Sequence, residues 1–198
     1  SIARQRYPQR LAEAQRISAA RRRSMVLRHE AARLAEQRSS APIIAAGSTG
    51  TIPATRELLK AIATLPNGAV ILPGLDGTLD DASWQAVGAQ HPQHALKQLL
   101  EFLGVPRHLV AALGGRGARS WLASELMRPA ETADRWRDTI ASRAALIPAA
   151  MAGVELVPTA HRQQEAQTIA LILRHALETP GRTASLITPD RTLARRVK

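Results

Sequence analysis

Cysteine is absent from the 198 residues. The chain therefore holds no disulfide, no thiolate zinc site and no iron–sulfur cluster. Aromatic residues are scarce, with three Trp, one Tyr and one Phe. The core must then be built from Ala, Leu, Ile and Val. No apolar run is long enough to span a bilayer as a helix, so no membrane is expected as a partner. Internal repeats are absent too.

What the chain has is positive charge. The formal net charge is +11. Residues 1–40 carry ten Arg and three Glu, a balance of +7. Residues 41–198 carry 17 basic and 13 acidic side chains, a balance of +4. Arg far outnumbers Lys, and its planar fork suits phosphate. Nucleic acid is the partner this balance points to. The competing reading is a solvated helix in a chain biased towards Arg throughout.

The hydrophobic pattern divides the chain into elements. Residues 9–38 lack Gly and Pro and carry a loose apolar stripe of Leu11, Ala14, Ile17, Met25, Leu27 and Leu34, which predicts one helix. Arg21, Arg22 and Arg23 sit about 100° apart on it, so they cannot share one face. At least one of them meets solvent or a phosphate. Ile43–Ala46 reads as a strand and Ile52–Thr64 as a helix capped by Thr51 or Thr55. "LPNG" is a turn, and "AVIL" is a second buried strand. This is the spacing of a right-handed parallel crossover.

Further on, Asp80 or Asp81 caps a short helix anchored by Trp84. Residues 94–103 form another, followed by a glycine-rich link. "SWLASELMRP" and "ETADRWRDTIASRAAL" read as two helices. The last unit reads as the strand "VELVP", a periodic helix over 160–178, the strand "ASLITP", and a helix capped by Asp190. Two parallel strands do not stand alone. The sequence therefore reads as part of a longer protein, completed by residues beyond Lys198.

The loop "AGSTGTIPATR" tests for a phosphate cradle. Such a cradle needs backbone N–H groups, tight glycines, and usually a Lys and a hydroxyl. Gly47, Ser48, Thr49 and Gly50 supply some of these. No Lys follows Gly50, and Pro53 removes one donor. ATP hydrolysis also needs a carboxylate at a strand tip to hold magnesium. Ile43–Ala46 ends in Gly47 and Ser48, and Asp76 follows the second strand alone. The reading favours a tight turn over a nucleotide site. His91 and His94, and the cluster Asp76, Asp80 and Asp81, have the residue types of metal sites. Their plainer reading is turns and helix caps. Trp84, Trp121 and Trp136 have the rings to stack bases, but each sits among apolar neighbours and reads as packing.

Four stretches together carry a resemblance. "AAGSTGTIPATRELLKAIATLPNGAVILPGLDGTLDDASW", "HPQHALKQLLEFLGV", "RPAETADRW" and "HRQQEAQTIALILRHALETPGRTASLITPDRTLARRV" resemble the AddB family. This is the alphaproteobacterial type of double-strand-break repair subunit. The resemblance covers roughly residues 20–198 and is spread along them. It implies an α/β chain of RecA-like, P-loop NTPase-like parallel sheet units with helical insertions, incomplete at the C-terminus.

AddB proteins pair with AddA in an ATP-dependent helicase–nuclease that resects DNA ends before recombination. They carry an inactivated helicase-like part, implicated in recognising the Chi sequence in single-stranded DNA, and a nuclease domain with an iron–sulfur cluster. On this likeness the chain is the helicase-like region. It is expected to hold or scan single-stranded DNA without hydrolysing ATP, in the bacterial cytoplasm at the nucleoid.

In superfamily-one helicases the first strand would end in magnesium-binding acids, and the second in Gly–Asp followed by a glutamine. Here Gly47-Ser48 and Gly74-Leu75-Asp76 stand instead, with no such glutamine. The cluster and magnesium are expected only in a nuclease domain outside this chain, so no cofactor and no catalytic residue is expected here.

The likeness makes residues 1–40 the end of a helical insertion and 41–112 the second half of a degenerate lobe. It makes 113–150 a helical connector and 151–198 the start of a second lobe. The expected DNA contacts are Arg21, Arg22 and Arg23, and Arg191, Arg195 and Arg196. The alternatives are a docking surface for an AddA-type subunit, and a nucleotide-binding enzyme using Gly47, Ser48, Thr49 and Gly50.

Overall fold

A computed structural model describes Tyr7, Arg10, Leu11 and residues 13–36, 40–115 and 117–197. It is mixed α/β and mostly helical, with a two-stranded parallel sheet. The chain divides into two compact units, Ser1–Met151 and Ala152–Lys198.

After helical residues at Tyr7, Arg10, Leu11 and Glu13, the first unit carries helix α1, Ala19–Glu36. The single helix expected over 9–38 does not form. The chain leaves the helical path before Ser18, where Gln15 takes a positive φ of 50° and the Arg16 N–H reaches back to Leu11 O. Ser18 Oγ then accepts from the Arg21 N–H and starts α1 afresh. A hydroxyl facing an unpaired N–H of the first turn offers a better start than continued coiling. The expected end at residues 37 and 38 lies outside the described residues, as does residue 9.

Strand β1 is Ile43–Ala46, helix α2 is Pro53–Ala63 and strand β2 is Gly68–Ile71. The strands are parallel, with Ile43 opposite Gly68 and Ala46 opposite Ile71. Neither Thr51 nor Thr55 caps α2. Ile52 holds that position without a side-chain bond, and Pro53 opens the helix. Proline suits a first turn because its missing N–H would have no partner there.

Leu34 of α1 and Ile62 and Leu65 around α2 form one buried cluster, with Ile43, Ala45 and Val70 packed against it. So α1 and α2 cover one face of the sheet. Each such aliphatic side chain contributes about 1.5–3 kcal/mol by burial. The strands alternate, as a pleat requires, and turn Ile44, Ala46, Ala69 and Ile71 outward. Ile44 is 62% exposed. Gly68 admits nothing larger, because a Cβ there would lie 1.8 Å from Ile62 O.

After β2 come α3, Asp81–Gln85, and α4, His94–Leu103. A second cluster joins Leu79, Trp84, Val87 and Leu100, with Leu72, Leu75 and Val110 against it. Helix α5 is Ala118–Leu126. The long helix expected from "ETADRWRDTIASRAAL" is broken. It becomes a 3₁₀ segment, Ala130–Arg135, then α6, Trp136–Ser142, then a 3₁₀ turn, Ala144–Leu146. Thr132 leaves helical geometry at φ −126°, and its hydroxyl is held by Ser83 at 2.7 Å. Helix α7, Ile147–Met151, follows.

The second unit holds α8, Arg162–Leu177, and α9, Arg191–Arg196, packed on one another. His161 caps α8 by accepting from the Gln164 N–H. Asp190 caps α9 by accepting from the Thr192 and Leu193 N–H groups at 2.8 and 3.1 Å. The two strands expected at "VELVP" and "ASLITP" do not form. Both stretches carry no regular structure and join no ladder among the described residues. Leu156 is 93% exposed and Ile187 94%. Their apolar pattern fits strands, but a strand exists only where another pairs with it.

Candidate nucleic-acid interface

The arginines fall into two populations. One is tied down. Arg28 donates to both Glu57 oxygens at 3.1 Å. Arg107 meets Asp81 at 3.0 Å and stacks over the Trp84 ring at 4.7 Å. Arg128 is almost sealed from solvent, and its fork takes both oxygens of the equally sealed Glu125. It also reaches Asp80 and Ser83 Oγ.

The other population is free. Arg21, Arg22 and Arg23 all lie exposed on α1. Their side chains make no hydrogen bond or ion pair among the described residues. Helix α1 turns Ser24, Leu27, Ala31 and Leu34 inward, which leaves the arginines outward together with exposed Met25 and Val26. Arg191, Arg195 and Arg196 are exposed on α9, and their side chains make no hydrogen bond or ion pair within bonding distance among the described residues. Arg162 and Arg196 stand near Asp190, whose carboxyl is held below its ordinary value chiefly by the Leu193 and Thr192 N–H groups and then by these charges. The two arginine groups belong to different units. A guanidinium without a protein partner keeps all five donors for phosphate oxygens or water.

The glycine loop has a different construction. Gly47 and Gly50 take left-handed backbone, and the Gly47 N–H is spent on Ile71 O. Gly50 is buried against Leu99, and its N–H turns to Ser48 Oγ at 3.3 Å. Arg56 Nε donates to Gly50 O, while its other nitrogen reaches Gln98 Oε1 at 2.8 Å. The Thr55 and Arg56 N–H groups both serve Ile52 O. The Gly47, Gly50, Thr55 and Arg56 N–H groups are thus spent inside the fold, no Lys stands in the loop, and the Arg56 guanidinium is committed to Gly50 O and Gln98.

The acidic loop is organised by its own bonds. Asp76 Oδ1 accepts from Thr78 N, Thr78 Oγ1 and Leu79 N at 2.8, 3.0 and 3.0 Å. Burial raises the Asp76 carboxyl, but Ser124 and these donors outweigh it and hold it below its ordinary value. Asp80 caps α3 through the Ser83 N–H at 2.9 Å. Burial pushes its carboxyl up as well. The Ser83 N–H and Arg128 prevail and hold it at about 2. Asp81 pairs with Arg107. No three metal-ligating side chains converge among the described residues.

His91 is fully engaged. Its Nδ1 accepts from the Gln93 N–H at 3.1 Å, so its Nε2 donates to Met127 O at 2.7 Å. Trp84 and Trp121 are buried, and Trp136 is 45% exposed. Reading the sequence missed Arg107, Arg128, Glu125 and Gln93. Their partners lie far along the chain, and only the i,i+3 spacing of Glu125 and Arg128 carried a signal.

Compared with protein-family models, with curated proteins and with solved structures, the chain matches none. No described helix is long and apolar enough to cross a membrane.

Proposed function

We propose that this chain is the non-hydrolysing, helicase-like region of an AddB-type repair subunit, and that it holds or scans single-stranded DNA during end resection. The reading includes a degenerate RecA-like lobe for the parallel β1–α2–β2 crossover. The observation that carries it is the set of exposed guanidiniums at Arg21, Arg22, Arg23, Arg191, Arg195 and Arg196, which make no hydrogen bond or ion pair among the described residues. The committed loop at Gly50 and Arg56, and the acids spent on caps, support the absence of hydrolysis.

Phosphate contacts give affinity without sequence, and such affinity falls steeply with salt. The test is fluorescence anisotropy of a labelled single-stranded oligonucleotide at about 50 and about 200 mM salt. Binding that weakens by orders of magnitude across that step is expected. A folded sample that does not bind at the lower salt overturns the reading.

The uncovered outer face of the sheet, with Ile44 and Ile71, favours a second reading. In it this region docks an AddA-type motor subunit, and copurification survives while DNA affinity is absent.

A further inference from the structure

A cleft of about 300 Å³ lies between the loop Gly74–Thr78, the turn His91–Gln93 and the side of α5 that carries Ser120, Ala123, Ser124 and Met127. Its position is fixed by the fold. Gln93 ties the two loops together by accepting from the Asp76 N–H and donating to Gly74 O, both at 2.9 Å. His91 ties the turn to the end of α5 through Met127 O.

Its chemistry is opposite to that of the rest of the chain. The described residues lining it include no Lys or Arg. His91 spends both ring nitrogens on the Gln93 N–H and Met127 O. Asp76 is the acidic group on the wall, and its three loop bonds all fall on Oδ1, leaving Oδ2. Ser124 is 5% exposed, and its Oγ has no hydrogen-bond partner of ordinary geometry among the described residues. It lies near enough to the Asp76 carboxyl to favour the charged form. Buried hydroxyls are seldom left so. Leu75, Pro92, Ala123 and Met127 supply apolar walls.

We propose that this cleft binds a primary alkylammonium group, held by Asp76 Oδ2 and Ser124 Oγ with its aliphatic stem along Leu75, Pro92 and Met127. An ammonium donates three hydrogen bonds and accepts none, which matches a carboxylate oxygen beside a hydroxyl. A charge-assisted bond in a half-buried cleft outweighs one in water. The proposal is independent of DNA binding.

The test is titration of the full chain with n-butylammonium, followed by amide NMR at Thr78, Leu79 and Ser124. Saturable shifts confined to these loops and α5 are expected, with n-butanol giving none. Asp76→Asn keeps the Oδ1 carbonyl that organises the loop, yet should weaken binding about tenfold or more. Ser124→Ala removes only the hydroxyl and should weaken it severalfold. Acetyl-lysine amide separates the two sources of this group. Binding of both probes assigns the cleft to a partner's lysine, and binding of butylammonium alone assigns it to a free amine. The proposal is overturned if butylammonium gives no shift, if butanol matches it, or if Asp76→Asn binds as well as the native chain.

Discussion

Arg128 and Glu125 hold each other in a bidentate pair, at 2.8 and 2.9 Å, with both side chains only 4% exposed. One turn of helix α5 presents the carboxylate, and the chain just past its end returns the guanidinium. The same fork reaches Asp80, so it fastens the acidic loop to the region that carries Thr132. Truncating one partner leaves the other charged and buried. Arg128→Ala should therefore cost about 3–5 kcal/mol in urea unfolding. Replacing both residues by Met should cost much less, which separates pairing from packing.

Asp80 predicts an acid limb. Its carboxyl is held at about 2 from an ordinary 3.8, so its contribution is complete above the ordinary value and disappears as pH falls through about 2. The side chain is 38% exposed, so solvent screening limits the contribution to about 1 kcal/mol. Unfolding of the native chain and of Asp80→Asn should differ by that amount near neutrality. The two curves should converge as the pH approaches 2. A gap that persists there would assign the loss to the cap's shape and not its charge.

Gly68 tolerates no side chain. A methyl group there would meet the Ile62 carbonyl, and backbone cannot yield as a flexible side chain can. Gly68→Ala should destabilise by about 3 kcal/mol or more. Gly74→Ala is the control. Gly74 has a positive φ of 63°, which Gly68 does not, but open space surrounds it, so it should lose only about 1 kcal/mol.

The free arginines predict a graded loss of nucleic-acid binding. Replacing Arg21, Arg22 and Arg23 by Gln removes three charges that make no ion pair among the described residues. Thermal stability should stay within about 0.5 kcal/mol of native, while the slope of log affinity against log salt falls. The same substitutions at Arg191, Arg195 and Arg196 form a second arm. An unchanged slope in both would remove these residues from the interface.

Magnesium and ATP at millimolar concentration should leave Tm unchanged, because the loop carries no Lys and Arg56 is already committed to Gly50 O. A shift would favour the nucleotide-binding alternative.

Legibility in the sequence followed the range of the interactions. Helix α4 was legible residue for residue, because its stripe and its terminal Gly104 are local signals. The cap at Asp190 was legible for the same reason, and the cap before α3 was narrowed to Asp80 or Asp81, of which Asp80 takes it. The crossover was legible from two short apolar runs and a turn. The break before Ser18 was not, since the residues there suit a helix and the hydroxyl start at Ser18 is weighed only in three dimensions. The interruption at Thr132 depends on Ser83, far away in sequence. "VELVP" and "ASLITP" misled because apolar alternation records fitness for a sheet, and pairing is decided elsewhere. At the candidate interface, the six arginines could be named but not sorted. Whether an arginine is free depends on which acids the fold delivers to it, as Arg107 and Arg128 illustrate.

The uncovered face of the sheet sets a condition on handling the protein. Ile44 and Ile71 form a sticky plane whose strand edges invite a second copy. Mutual repulsion at a net charge of +11 opposes that encounter. Salt screens the repulsion and leaves the stickiness intact. The buffer that strips nucleic acid from the preparation is thus also the one in which its molecules adhere. Light scattering should rise with ionic strength, and Ile44→Lys should abolish the rise.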